Sequence, residues 1–328
     1  MLNHWMKPLE TKNIGDFFSD SFNCHANFPD LAKTKVAVFS KHSAFYTSVR
    51  TQLDKLYKHY NIEIVDIGTT DIKSASSVYQ ILSEIMDGGI IPIMLGATID
   101  DFTVFCNALE KEERLHLPCH IGLTPISINN KTNIINLGYQ RHIVDKNTFS
   151  ELLSSDHPGL SLGALRHQSD IVEPIIRSCD YTHFDVSSVR KSDCTSSIDS
   201  LPTGLTSEEA CKLLRYVGEN DSNRLLSIGG SLINGEDEAS SMLIAQLIWY
   251  YVEGFNFRKS KQAFESKHFD NFVVEMSEHD LTLEFSKSKT SGKWWLKSND
   301  SNQYHPCAYS EYLSFVNNEI PDRILKLL

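Results

Sequence analysis

The chain has 328 residues, of which 41% are hydrophobic and 22% charged, with a formal net charge of −11. That is apolar material for one large α/β domain or two smaller ones. The acidic balance argues against sequence-independent nucleic-acid binding, which needs a cationic surface against phosphates.

The apolar runs "GGIIPIMLGA" and "MLIAQLIWYYVEGF" are too short to span a bilayer. The opening "MLNHWMKPLE" lacks the basic segment and apolar run of a secretory signal. Seven cysteines (Cys24, Cys106, Cys119, Cys179, Cys194, Cys211 and Cys307) form no C-x-x-C pair. An odd count at irregular spacing predicts reduced thiols and a cytoplasmic chain. Cys106, Cys179 and Cys211 sit among apolar neighbours and read as small core residues.

Strand and helix signals then alternate. "KVAVFS" (35–40) predicts a strand, and residues 43–60 a helix from the spacing of Phe45, Val49, Leu53, Leu56 and Tyr60. Strands over 62–68 and 90–96 flank a helix over 74–89 that starts in serines and stops at Gly88 and Gly89. The run "IIPIMLG" is near-continuously apolar, as in a sheet covered on both faces. A helix over 100–113 follows, with strands over 119–127 and 132–139 and a helix over 147–155. Further on come a strand over 159–165, a helix over 170–179 and a strand over 181–189. Thr206 and Glu209 make a capping-box signature for a helix over 206–220. A strand over 225–230 and a helix over 238–258 complete the series. Repeated strand–helix units predict a mainly parallel sheet between two helical layers, over residues 1–267.

The tail differs. "FVVEMS", "LTLEFSKS" and "KWWLKS" alternate as antiparallel strands, with "KTSGK" as a turn. Residues 268–328 read as a small β-rich appendage packed on the same domain. Trp294 and Trp295 are adjacent strand positions and point to opposite faces.

"VDIGTTD", "GGIIPIMLGATIDD", "THFDVSSVRKSD" and "LPTGLTSEEACKLL", in that order, resemble the arginase, agmatinase and formimidoylglutamase group, the ureohydrolases, with a formimidoylglutamase-like branch nearest in the tail. The resemblance implies a three-layer α/β/α arginase-type fold and, in the family, two manganese ions bridged by a hydroxide that attacks a guanidinium or formimino carbon. It also implies where the ligands belong. Gly96 and Ala97 stand for the glycines of G-G-x-H, and Ile99 falls where the histidine should be. The segment Leu123 to Ser127 stands for D-A-H-x-D, and no Asp, Glu or His occurs from Ile121 to Arg141. Asp185 matches the first carboxylate of the third motif, while Ser187 and Arg190 replace two others. One ligand position of six is filled, and a guanidinium, which stays charged, repels a dication. The expectation is therefore no cofactor and no metal, with Mn2+ expected only if a rewired hydrolase site exists. A pairing of Arg190 with Asp185 is a further expectation.

The relic-site candidates are Asp185, His183 and Asp100. Asp185 reads either as a relic ligand or general base, or as a carboxylate satisfied locally. His183 lies two residues before it, on the same strand face, so the pair reads as an acid–base dyad or as a packed histidine. Asp100 and Asp101 read as a shifted ligand pair or as the start of a helix, where carboxylates favour the dipole. A replacement zinc site from His142, His167 and Asp185 has no spacing signature. Gly229 and Gly230 suggest a phosphate loop, against which Glu236, Asp237 and Glu238 argue by charge. The aromatic run "IWYYVEGFNF" reads as a packed helix or a subunit contact. Two functions follow: a catalytically degenerate ureohydrolase-fold protein acting through binding or assembly, expected as a homo-oligomer, or a working hydrolase of C–N bonds in linear amidines. No nucleic-acid or membrane partner is expected.

Overall fold

A computed structural model describes residues 2–9, 15–24, 27–41, 43–128, 134–155, 157, 159–233, 237–258, 267–276, 281–298 and 303–325. In chain order the elements are β1 (Asp20–Ser21), β2 (Val36–Lys41), α1 (Ala44–Leu53), β3 (Ile64–Thr70), α2 (Ala75–Asp87), β4 (Ile91–Ala97) and α3 (Ile99–Lys111). Then come β5 (Pro118–Ile121), β6 (Ile135–Tyr139), α4 (Lys146–Ser154), β7 (Leu160–Ser161), α5 (Leu162–His167), α6 (Val172–Arg177), β8 (Tyr181–Asp185), α7 (Ser207–Glu219), β9 (Leu225–Gly229) and α8 (Glu238–Asn256). The tail holds β10 (Phe269–Met276), β11 (Leu281–Ser288), β12 (Trp294–Lys297), β13 (Tyr304–Cys307), α9 (Tyr309–Val316) and α10 (Asp322–Leu325).

The first nine strands form one sheet in the order β1-β3-β2-β4-β9-β8-β5-β6-β7, and every pairing in it is parallel. The apolar runs explain why it is buried on both sides. Val36 and Val38 of β2 join one core cluster, with α1, α7 and α8. Ala37 and Phe39, one residue out of step, join the other, with α2 and α3. A period of two thus feeds both cores from a single strand. The described residues include no helix long and apolar enough to cross a membrane.

Several elements end earlier than their apolar patterns suggest, because a side chain offers the backbone another partner. The first helix stops at Leu53, not at residue 60. Beyond it the Trp249 indole donates to the Tyr57 carbonyl, 2.8 Å away, while Leu56 and Tyr60 still pack on the core from the loop. The strand expected over 159–165 is only Leu160–Ser161, since the Ser161 hydroxyl accepts from the Ala164 N–H and starts α5. β8 stops at Asp185, whose carboxylate accepts from the Ser187 N–H and turns the chain through Val186–Ser188. β5 ends at Ile121, and the following loop is held by the Asn136 amide, which meets both the N–H and the carbonyl of Ile126. The capping box of Thr206 and Glu209 forms as expected.

The appendage is a four-stranded antiparallel sheet in the order β10-β11-β12-β13. It has its own cluster, built on Val274, Leu283, Phe285, Trp294 and Phe315. β13, absent from the sequence reading, carries Pro306, which an edge strand tolerates. Trp294 stacks on Tyr312 with ring centroids 4.6 Å apart. Trp295 faces the other way and lies 4.3 Å above the Arg177 guanidinium of the main body.

Candidate functional site at the carboxyl edge of the sheet

In a parallel sheet, ligands bind beyond the carboxyl ends of the strands, where the chain order reverses. Here that edge is lined by the ends of β2, β4, β9, β8 and β5, which are neighbours in the sheet. Asp185 is half-buried and its Oδ1 accepts from the Ser187 N–H at 2.8 Å. Burial pushes its carboxyl up from the usual range, the Ser187 hydrogen bonds pull it back, and nearby Asp199 adds to the rise. Gly230, at φ +121°, closes over it: a Cβ there would stand 2.5 Å from Asp185 Oδ1. Gly229 likewise lies against the Ala97 backbone. These two glycines serve close approach between strand ends.

Arg190 does not pair with Asp185. Its Nε meets Asp193 Oδ1 at 2.6 Å, with the arginine 43% exposed. Asp193 also accepts from the N–H and hydroxyl of Ser207, each at 2.9 Å, at the start of α7. Burial pushes the Asp193 carboxyl up, but the hydrogen bonds from Arg190 and Ser207 outweigh it and hold the group well below the usual range. The local three-residue partner wins because it lies in the same turn.

Other acidic groups of this edge are helix caps as well. Asp100 is exposed in the first turn of α3. Asp101 is buried, and its Oδ2 accepts from Thr98 N–H at 2.7 Å, Thr98 hydroxyl at 2.8 Å and Lys41 Nζ at 2.6 Å. Ile99 is simply the first residue of α3. Asp237 caps α8 through Ala239 and Ser240 and accepts from the Ser196 and Ser240 hydroxyls. Glu238 pairs with Lys55, and Glu236 lies outside the described residues.

His183 makes no dyad with Asp185. Its Nδ1 lies 2.8 Å from Ser227 Oγ, which also meets the Tyr181 hydroxyl. Its Nε2 is buried without a partner among the described residues. The register of β5 against β8 places His120 beside it, and the two rings stack 5.6 Å apart under Phe102. Burial lowers the His120 pKa to about 4, with a hydrogen bond to the Thr124 backbone opposing. His183 is lowered too, by burial and then by His120. Sequence reasoning missed both His120 and Lys41, because His120 meets His183 only across strands and Lys41 meets Asp101 only through the packing of β2 beside the β4–α3 turn.

His142 and His167 are exposed, on a turn after β6 and at the end of α5. Among the described residues no group of three or more His, Cys, Asp or Glu side chains is placed to hold a metal ion. The donors of the carboxyl edge do not suit two dications: Asp185, Asp101, Asp193 and Asp237 face backbone N–H groups, and the Lys41 ammonium is paired with Asp101.

A cleft of about 1990 Å³ lies at the opposite edge, between the starts of β5 and β6 and the appendage. Arg177 forms part of its wall, donating to the Trp294 carbonyl at 3.1 Å. It joins the two sheets and stands far from the carboxyl edge's chemistry.

No family model matches the chain, and no curated protein matches it in sequence. Solved structures do match. A variant of Trypanosoma cruzi formiminoglutamase with Mn2+ superposes with a TM-score of 0.61 at 14% identity, over 71% of this chain and 98% of that one. Formimidoylglutamase from Bacillus subtilis gives 0.61 at 12% identity, over 77% and 94%. The agmatine ureohydrolase of Thermoplasma volcanium gives 0.53 at 16%, over 69% and 91%. The parallel nine-stranded sheet between helical layers, with its antiparallel appendage, is therefore an arginase-type α/β fold.

Proposed function

We propose that this chain is a ureohydrolase-fold protein that acts through binding or assembly and not through a dimanganese centre. One observation carries the reading. Four carboxylates at the ligand-binding edge serve a helix start or a turn: Asp185 on Ser187, Asp101 on Thr98, Asp193 on Ser207 and Asp237 on Ser240. Two dications close together need several hard oxygen donors free to converge, and Lys41 brings a positive charge to the same edge. Asp185, His183 and Asp100 then have structural roles. A cytoplasmic setting agrees with seven free cysteines. A homo-oligomer agrees with the stripe Tyr309, Leu313 and Val316, exposed on one side of α9.

A second reading, hydrolysis of a linear amidine C–N bond at a rewired site, draws on the activities named for the matched structures and on the raised Asp185 carboxyl, the kind of group that general acid–base chemistry uses. A thermal-shift titration with Mn2+ separates the two. Specific binding raises the melting temperature once the ion exceeds its dissociation constant. The proposal expects an unchanged melting temperature; a saturable rise supports the hydrolase.

A further inference from the structure

We propose that the Lys41 ammonium is the resident cation of the carboxyl edge, holding the β4–α3 turn in the place of a bound metal ion. The inference rests on the reading that no dimetal centre forms. The turn is the one whose sequence resembles the family's histidine-bearing motif, with Ile99 in the ligand's place. It is tightly built. Gly96 turns at φ +86° against the Tyr46 ring and the Lys41 stem. Thr98 and Asp101 close a capping box at the start of α3. Lys41, the last residue of neighbouring β2, reaches across and places Nζ 2.6 Å from Asp101 Oδ2.

Three donors thus converge on one carboxylate oxygen: an ammonium, a backbone N–H and a hydroxyl. The Asp101 side chain is 3% exposed and Lys41 24%, so the negative charge is almost wholly desolvated. A buried carboxylate is costly unless a cation faces it. A cation here joins the ends of β2 and β4 to α3, the task that a structural ion performs when it contributes folding energy. Lys41 is a positioning residue.

The test is a double-mutant cycle with Lys41→Met and Asp101→Asn, read by urea denaturation of the full chain. Lys41→Met alone leaves the carboxylate buried with its two Thr98 donors but no facing cation, and lowers the unfolding equilibrium's preference for the native state by about tenfold. The double variant is then far less damaged than the sum of the single ones, and Lys41→Arg retains most of the stability. Charge is read separately in Lys41→Ala: n-propylammonium, the missing part of the side chain, raises its melting temperature, and neutral 1-propanol does not. Additive single effects, a Lys41→Met variant as stable as the parent, or equal responses to amine and alcohol overturn the inference. Mn2+ binding by the unaltered chain strikes instead at the non-metal reading beneath it.

Discussion

Acid is expected to weaken this fold through His120, by an amount that its burial sets. The imidazole lies wholly inside, stacked on His183 and covered by Phe102. Its pKa falls from 6.5 to about 4 on folding. A folded value below the unfolded one means that the unfolded chain binds more protons between those two values. Stability attributable to His120 is therefore complete above pH 6.5, declines as pH falls through the window, and is lost below pH 4. The fall from 6.5 to about 4 corresponds to about 3 kcal/mol. His183 acts in the same direction, whereas burial raises the Asp180 and Asp185 carboxyls, which stabilise the fold as pH falls. The informative quantity is thus a difference: urea unfolding of the parent and of His120→Phe, each from pH 4 to pH 8. The parent should lose about 3 kcal/mol relative to the variant between pH 6.5 and pH 4. Curves that stay parallel, within about 0.5 kcal/mol, would refute the assignment of this proton to a buried neutral imidazole.

Other expectations follow from single contacts. Arg50 is buried with Asp66, at 2.6 Å and 3.2 Å, and also donates to Ser40 and to the Gly68 carbonyl; Arg50→Met should cost about 3–5 kcal/mol in urea denaturation, with much of it recovered by adding Asp66→Asn. Gly230→Ala forces a Cβ to 2.5 Å from the Asp185 carboxylate at φ +121°, and should lower stability by about 1–3 kcal/mol, less so when Asp185→Ala is combined with it. Thr206→Ala removes one half of the box that starts α7, in which its hydroxyl accepts from Glu209 N–H at 3.1 Å. The expected loss is about 1 kcal/mol, read as a shift in the denaturation midpoint.

The sheet was legible because its strands are short apolar runs such as "IIPIMLG", bounded by glycines and followed by helical spacing. The start of α7 was legible because Thr206 and Glu209 are neighbours in sequence. Where the reading slipped, a distant side chain decided. Nothing near Tyr57 announces that Trp249 will take its carbonyl, and Ser161 is as compatible with a strand as with a cap until β6 pairs with Leu160. The candidate site divides in the same way. That Asp185 closes β8 could be read directly. That Arg190 prefers Asp193, three residues on, over Asp185, five residues back, is a matter of turn geometry. His120 and Lys41 are single residues in apolar strands, and only the β5–β8 register and the β2–β4 crossing give them partners. Fold follows from pattern, but chemistry follows from which side chains meet.

Electron paramagnetic resonance of Mn2+ added stepwise to metal-stripped protein tests the central claim most directly, since the free aqua ion gives a signal that protein binding suppresses. With the edge carboxylates engaged by helix starts and an ammonium already seated there, the free-ion signal should grow in proportion from the first addition. Disappearance of two equivalents before any signal emerges would contradict the account.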